Sequence, residues 1–269
     1  MHNTLIIVLL ICAFVLHGGV AWAAPLQQKK LIFGIIPQQS VEAIDRSWAP
    51  LLRHISENSG YQVELQTTKN IASFKARVKS EEFDIAYMNP LMYVSEESRQ
   101  YQAFAKEKDA KLNGIIVVEK NSPYYSLESL NGLSLAFPDL EAFAATLVPL
   151  SFLEKKGAHV KINIVGQHDA VYRAVATGAY PAGGGVAKTL EKSDEKTKGQ
   201  LRVLWTSPAY TPHPFAAHRR VQREILAKIL AVMVALEQGD EGKKLLKGIG
   251  FKGIEKVVDR EYDDIRELN

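Results

Sequence analysis

The chain has 269 residues, 46% of them hydrophobic and 23% charged. This is the composition of a soluble globular protein with more chain than one small domain uses, and it excludes a disordered or fibrous class. The formal net charge of +3 comes without a dense Lys/Arg block, so the basic stripe expected of a nucleic-acid-binding protein is missing.

Residues 1–23 form a separate unit. Leu5 to Val15 is an uncharged apolar run, followed by Gly18, Gly19 and then Ala21-Trp22-Ala23. Small residues at those positions after an apolar run are what signal peptidase recognises, so cleavage after Ala23 and export to the periplasm are expected. The rival is an uncleaved anchor, but the run is well short of the roughly 20 residues that span a bilayer. The only cysteine, Cys12, lies in this segment, so residues 24–269 contain no thiol, disulfide or cysteine-based metal site.

Leu31 to Ile36 reads as a buried strand. Pro37-Gln38-Gln39-Ser40 then turns, and Ser40 can cap a helix over Val41–Asn58. Pro50 should kink or split that helix, and Gly60 should close it. Tyr61–Thr67 is a second strand, Ser73–Ser80 a short helix and Phe83–Met88 a third strand. Asn89-Pro90 starts the next helix. Lys106 to Lys111 reads as a charged stretch before a strand at Leu112–Glu119. Leu135–Phe137 is a strand that turns at Pro138-Asp139 into a helix over Glu141–Lys156. Val160–Val165 is a strand, and Gly166-Gln167-His168-Asp169 opens a helix to about Thr177. Ala179–Gly185 holds a short strand and a glycine run, and Lys188–Lys198 reads as a solvated helix end and loop. Leu201–Thr206 is the last strong strand. Helices follow at Gln222–Glu237 and Asp240–Leu246, the latter capped by Asp240. Strands alternating with helices across short connections predict parallel α/β sheets. They divide into two lobes, 24–113 plus 207–269 and 114–206, after the 1–23 signal.

Several residues stand where strands give way to helices, the place where clefts form. Gln38, Gln39 and Ser40 either donate to a ligand or make a plain turn and cap. Tyr87 and Asn89 either face a cleft or serve as core residue and cap. Unpaired N–H groups where the strand at Leu135–Phe137 enters its helix suit an anion or a polar group. Gly183-Gly184-Gly185 lacks the Lys-Ser/Thr of a phosphate loop and predicts close backbone approach. His213 lies on the segment returning between lobes, at a hinge or cleft wall. The histidines show no metal-ligand spacing, so no metal and no cofactor are expected. No nucleophile–base or paired-carboxylate pattern stands out, which points away from an enzyme.

Five segments in order, FGIIPQQSVEAIDRSWAPLL, FDIAYMNPLMYV, SLAFPDLEAFAATLVP, GQHDAVYRAVATG and VLWTSPAYTPHPFAAH, resemble the phosphate/phosphite/phosphonate substrate-binding proteins of ABC importers. The resemblance covers nearly all of the chain after residue 23. It implies the two-lobed periplasmic binding fold with two crossovers (type II) and a ligand cleft between the lobes. It also implies a monomer that delivers a small polar or anionic ligand to a membrane permease. The alternative is a sensor subunit presenting its ligand to a separate membrane receptor kinase. The family's phosphonate binders carry a Ser-Thr-Ser run after an Asp-Pro. Here Asp139 is matched, but Ala142, Phe143 and Ala144 stand at the three positions, and only Thr146 further on offers a hydroxyl. Each donor lost to a buried dianion costs about 1.5–3 kcal/mol, so a less charged ligand with an apolar part is expected. By the same resemblance His168 stands at the cleft and Asp169 can meet an amino group on the ligand; the alternative is that Asp169 caps the helix and His168 is a hydrogen-bonded linker residue.

Overall fold

The computed structural model describes residues 30–267. The expected signal segment lies outside the described residues. Chain order begins with β1 (Lys30–Ile35), α1 (Val41–Ser59), β2 (Gln62–Gln66), α2 (Ile71–Lys79), β3 (Ile85–Tyr87), α3 (Pro90–Val94), β4 (Tyr101–Glu107) and β5 (Gly114–Glu119). Next come β6 (Ser134–Phe137), a π-helical turn at Phe143–Leu147, α4 (Val148–Lys155), β7 (Lys161–Ile164), α5 (His168–Ala176) and β8 (Ala182–Val186). The chain finishes with α6 (Ala187–Glu191), α7 (Glu195–Gly199), β9 (Leu201–Thr206), β10 (Pro214–His218), α8 (Arg223–Ala235), α9 (Asp240–Ile249), β11 (Ile254–Lys256) and α10 (Asp263–Arg266).

The strands form two sheets, in the orders β11-β4-β10-β3-β1-β2 and β7-β6-β8-β5-β9. The expectation of parallel sheets is corrected, because both are mixed. In the first, β1 is parallel to β2 and β3, while β10 runs antiparallel to β3 and β4. In the second, β6 is parallel to β7 and β8, while β5 runs antiparallel to β8 and β9. β5 and β10 are the first strands after the chain passes from one sheet to the other. Each starts at the end where its parallel neighbours stop, so it must run against them. The two connecting segments lie side by side. Leu112 and Tyr210 exchange backbone hydrogen bonds of 2.9 and 3.0 Å, and Gly114 N–H donates to Ser207 Oγ at 2.9 Å.

Local chemistry accounts for most boundaries. Ser40 Oγ accepts from Ala43 N–H at 3.2 Å, and Gly60 ends α1 in the left-handed region at φ 79°. α1 is neither split nor interrupted at Pro50, which faces solvent, as does Arg46, whose carbonyl loses its helical donor and is left to water. The helix expected over 141–156 instead begins with the π turn at Phe143. Gly239, not Asp240, caps α9, with Asp240 in its first turn. β4, β10 and β11 go beyond the sequence reading. Lys106 and Glu107 disguise β4 as a charged loop, but both are partnered. Lys106 sits 3.2 and 3.0 Å from Glu255 and Glu261, and Glu107 pairs with Lys188.

The π turn packs against the second sheet at close range. A Cβ added at Gly114 would come well inside 3.0 Å of Ala144 O, and one at Gly184 well inside 3.0 Å of Ala145 O. This is the close backbone approach that the glycine run implies. Gly184→Ala should therefore lower the unfolding free energy by about 1–3 kcal/mol, and occasionally more where backbone must shift. Gly199→Ala, in open space, is the control. Equal urea midpoints for the two variants would contradict this packing.

Candidate ligand site

A cavity of about 20 Å³ lies where the two sheets face each other. Gln38 and Ile36 reach it from the end of β1, Asn89 from the end of β3, and Ile71 from the start of α2. The second sheet supplies Ala142 to Ala145, His168 and Val186, and the returning segment supplies His213. Most of these positions lie where a strand ends or a helix begins, and His213 directly precedes β10, so backbone groups not used by regular structure gather there.

The donors come mainly from the π turn. Ala142 O accepts from Thr146 N–H at 2.8 Å and Leu147 N–H at 3.2 Å. The N–H groups of Phe143, Ala144 and Ala145 meet no protein acceptor among the described residues. Asn89 Oδ1 caps α3 by accepting from Met92 N–H at 2.7 Å, and its Nδ2 donates to Glu141 O at 3.3 Å. Asn89 thus serves as cap and cavity wall together. Glu141 also pairs with Lys75 of α2 at 3.0 Å, so this loop ties the two sheets together.

The two imidazoles are buried, at 4% exposure for His168 and 5% for His213. His168 Nδ1 is 3.0 Å from Thr189 Oγ1. His213 Nε2 is 3.1 Å from Gln38 Nε2, and since an amide nitrogen only donates, His213 Nε2 is the acceptor. Burial pulls His168 down to about 4. Burial first, then the positive charge of His168 and Lys188, pulls His213 down to about 3. Both are neutral at ordinary pH. The cavity wall contains no Lys, Arg, Asp or Glu.

The cavity brings together Gln38, Asn89, Phe143, Ala144, His168 and His213. Gln39 and Tyr87 line a neighbouring space, with Tyr87 stacked on His213 at a centroid distance of 5.3 Å. Three expected residues do not line either space. Ser40 spends its oxygen on the α1 cap. Thr146, next to the lining residue Ala145, is fully buried, and its hydroxyl meets no partner among the described residues. Asp169 is turned away by the helix; its charged neighbours are Arg173 and Asp194, and burial raises its carboxyl. Phe143 meets Tyr210 edge to face at 5.4 Å. Lys188, Thr189 and Lys192, which in the sequence read as a solvated helix end, also line that neighbouring space. The available signal was two lysines at i, i+4 just after a strand that ends at a sheet junction.

The buried histidines predict a pH dependence. Their folded-state pKa values lie below the ordinary 6.5. As pH falls from there towards 4, the unfolded chain binds protons that the folded chain does not. Their stabilising contribution is complete above 6.5 and is lost as pH falls through that window, by roughly 3 kcal/mol for each histidine. Urea midpoints followed from about pH 7 to about pH 4 should fall, and His213→Gln should fall distinctly less. Equal pH slopes for the two proteins would contradict the neutral, buried assignment.

A profile for the periplasmic substrate-binding proteins of phosphonate ABC transporters matches residues 33–262. The phosphonates-binding periplasmic protein of Escherichia coli is 24% identical, covering 90% of this chain and 76% of that protein. A probable ABC transporter phosphite binding protein of Prochlorococcus marinus is 21% identical, covering 89% of both. The structure of PhnD1 from Prochlorococcus marinus in complex with methylphosphonate superposes with a TM-score of 0.81 at 22% identity, covering 89% of this chain and 97% of that one. A binding-protein component of a phosphonate ABC transporter from Pseudomonas aeruginosa gives 0.80 at 21% identity, covering 90% and 85%. These likenesses show the two-sheet periplasmic binding fold, and because the profile spans most of the chain, this protein belongs to the phosphonate-binding periplasmic substrate-binding proteins of ABC transporters, a family of binding components and not of enzymes.

Proposed function

We infer that the chain, released into the periplasm by removal of residues 1–23, carries a small polar ligand to the permease of an importer. The ligand sits between two lobes divided near residues 113 and 207, and the head that enters the cavity carries at most one negative charge. The observation that carries this reading is the wall of the cavity: three free backbone N–H groups and two neutral imidazoles, with no cationic side chain. A desolvated dianion without a charged partner is costly, whereas a neutral or singly charged oxygen head is well served by N–H donors. Phe143–Ala145 N–H, Asn89, Gln38, His168 and His213 are the contacts in this reading, while Ser40 caps α1 and Thr146 and Asp169 take no part.

Calorimetric titration with phosphate, phosphite, methylphosphonate and 2-aminoethylphosphonate should show only binding weaker than micromolar. Submicromolar binding of any of the four would overturn the charge limit. For the tightest of them, His168→Ala should weaken binding by about 1–3 kcal/mol, with Asp169→Ala within about 0.5 kcal/mol of the native chain. Equal losses for the two would put Asp169 back in the site. Small-angle scattering at saturation should give a smaller radius of gyration than the free chain, through lobe closure. Superimposable profiles would speak against closure.

A further inference from the structure

A second compartment of about 70 Å³ adjoins the first. Ile36 and Gln38 line both, so they form the common wall. The Gln38 side chain is half-buried and held by its one hydrogen bond to His213. Rotation of that side chain would join the two spaces.

Trp48, Tyr87 and Phe251 give the second compartment its apolar walls. Tyr87 is 8% exposed, and its hydroxyl has no protein partner among the described residues. The hydroxyl oxygen is not closed off from solvent, so it is open to an acceptor that enters the compartment. The remaining wall is cationic. Lys188 pairs with Glu107 and lies 4.2 Å from the centre of the Phe251 ring. Lys192 Nζ donates to Ile249 O, at the end of α9, at 2.6 Å. Burial lowers both ammonium groups, and the charge of Lys188 helps bring Lys192 to about 8. Among the described residues Glu107 is the only carboxylate paired with either lysine; at longer range Glu191 acts on Lys188, and Lys252 acts on Glu107. Two ammonium groups against one carboxylate leave a surplus positive charge on this wall, half-buried at Lys188 and exposed at Lys192. No Asp or Glu lines this compartment.

We propose that the ligand is bifunctional: an oxygen head at the π turn, a short apolar arm passing Gln38, and a terminal anion, most simply a carboxylate, at Lys188 and Lys192. This rests on the reading of the first compartment given above and adds the chemistry of the far end. A terminal anion answers the surplus charge, and a terminal ammonium meets only repulsion. The apolar arm lies along Trp48 and Phe251, and the Tyr87 hydroxyl gains an acceptor.

Four compounds with two-methylene arms separate the two ends: succinate, β-alanine, 2-carboxyethylphosphonate and 2-aminoethylphosphonate. Calorimetric titration of the full chain should show each carboxylate-armed compound binding at least about tenfold tighter than its amino-armed counterpart. Lys192→Gln should remove most of that preference, weakening the carboxylate-armed compounds and leaving the amino-armed ones bound no more weakly than before. The arm is read by comparing compounds with the same head, and the head by comparing compounds with the same arm. Phosphonate heads binding more tightly than carboxylate heads, with the arm preference intact, would overturn the charge limit on the head and leave this proposal standing. Equal or tighter binding of the amino-armed compounds, a preference untouched by Lys192→Gln, or no binding by any of the four at millimolar concentration would overturn the proposal.

Discussion

The carbonyls of Ala144 and Ala145 rest on the α-carbons of Gly114 and Gly184, and the geometry of the cavity follows from that contact. Backbone lies against backbone with no side chain between, so the π turn sits as close to the second sheet as sterics allow. A turn pressed onto β5 and β8 exposes its leading N–H groups on the opposite side, towards Asn89 and His213. The same position brings Glu141 within reach of Lys75 and of the Asn89 amide. Glycine at these positions is therefore a requirement of the cavity's geometry as much as of the fold.

The parts of the fold legible in the sequence are those where hydrophobic period and end signals coincide. β1, the Ser40 cap, α1 and Gly60 agree at every level, as do β3 and the Asn89-Pro90 helix start. β4 was illegible because its charges are satisfied by residues far along the chain. Lys106 is answered by Glu255 and Glu261, and Glu107 by Lys188, and nothing local announces those pairings. The site divides in the same way. Asn89, His168 and His213 stand at junctions that sequence marks, whereas the lysines of α6 look solvated until α9 and β4 come alongside. His168 and Asp169 show the limit of adjacency: successive helical residues point about 100° apart, so one lines the cavity and the other does not.

The interface between the sheets is electrically uneven. Around the π turn every titratable wall group is held neutral, and the polar work falls to N–H dipoles and uncharged side chains. A few residues away, beyond Gln38, ammonium groups outnumber carboxylates. Burial drives both results. It suppresses the imidazole charge, while the lysines, nearer the mouth and helped by Glu107 and the α9 carbonyl, keep theirs.

The paired segments between the sheets meet through the backbone of Leu112 and Tyr210. Beyond these bonds the two sheets share one buried cluster, in which Ala142 to Ala145, Val148 and Val186 pack with residues of the first sheet. Polar contacts across the same interface lie at its rim. Lys75–Glu141 stands beside the first compartment, and Lys188–Glu107 with Lys192–Ile249 beside the second. All three run from residues around one sheet to residues around the other, so parting the sheets breaks them together. The charges along this edge thus add a salt-dependent part to the grip between the sheets.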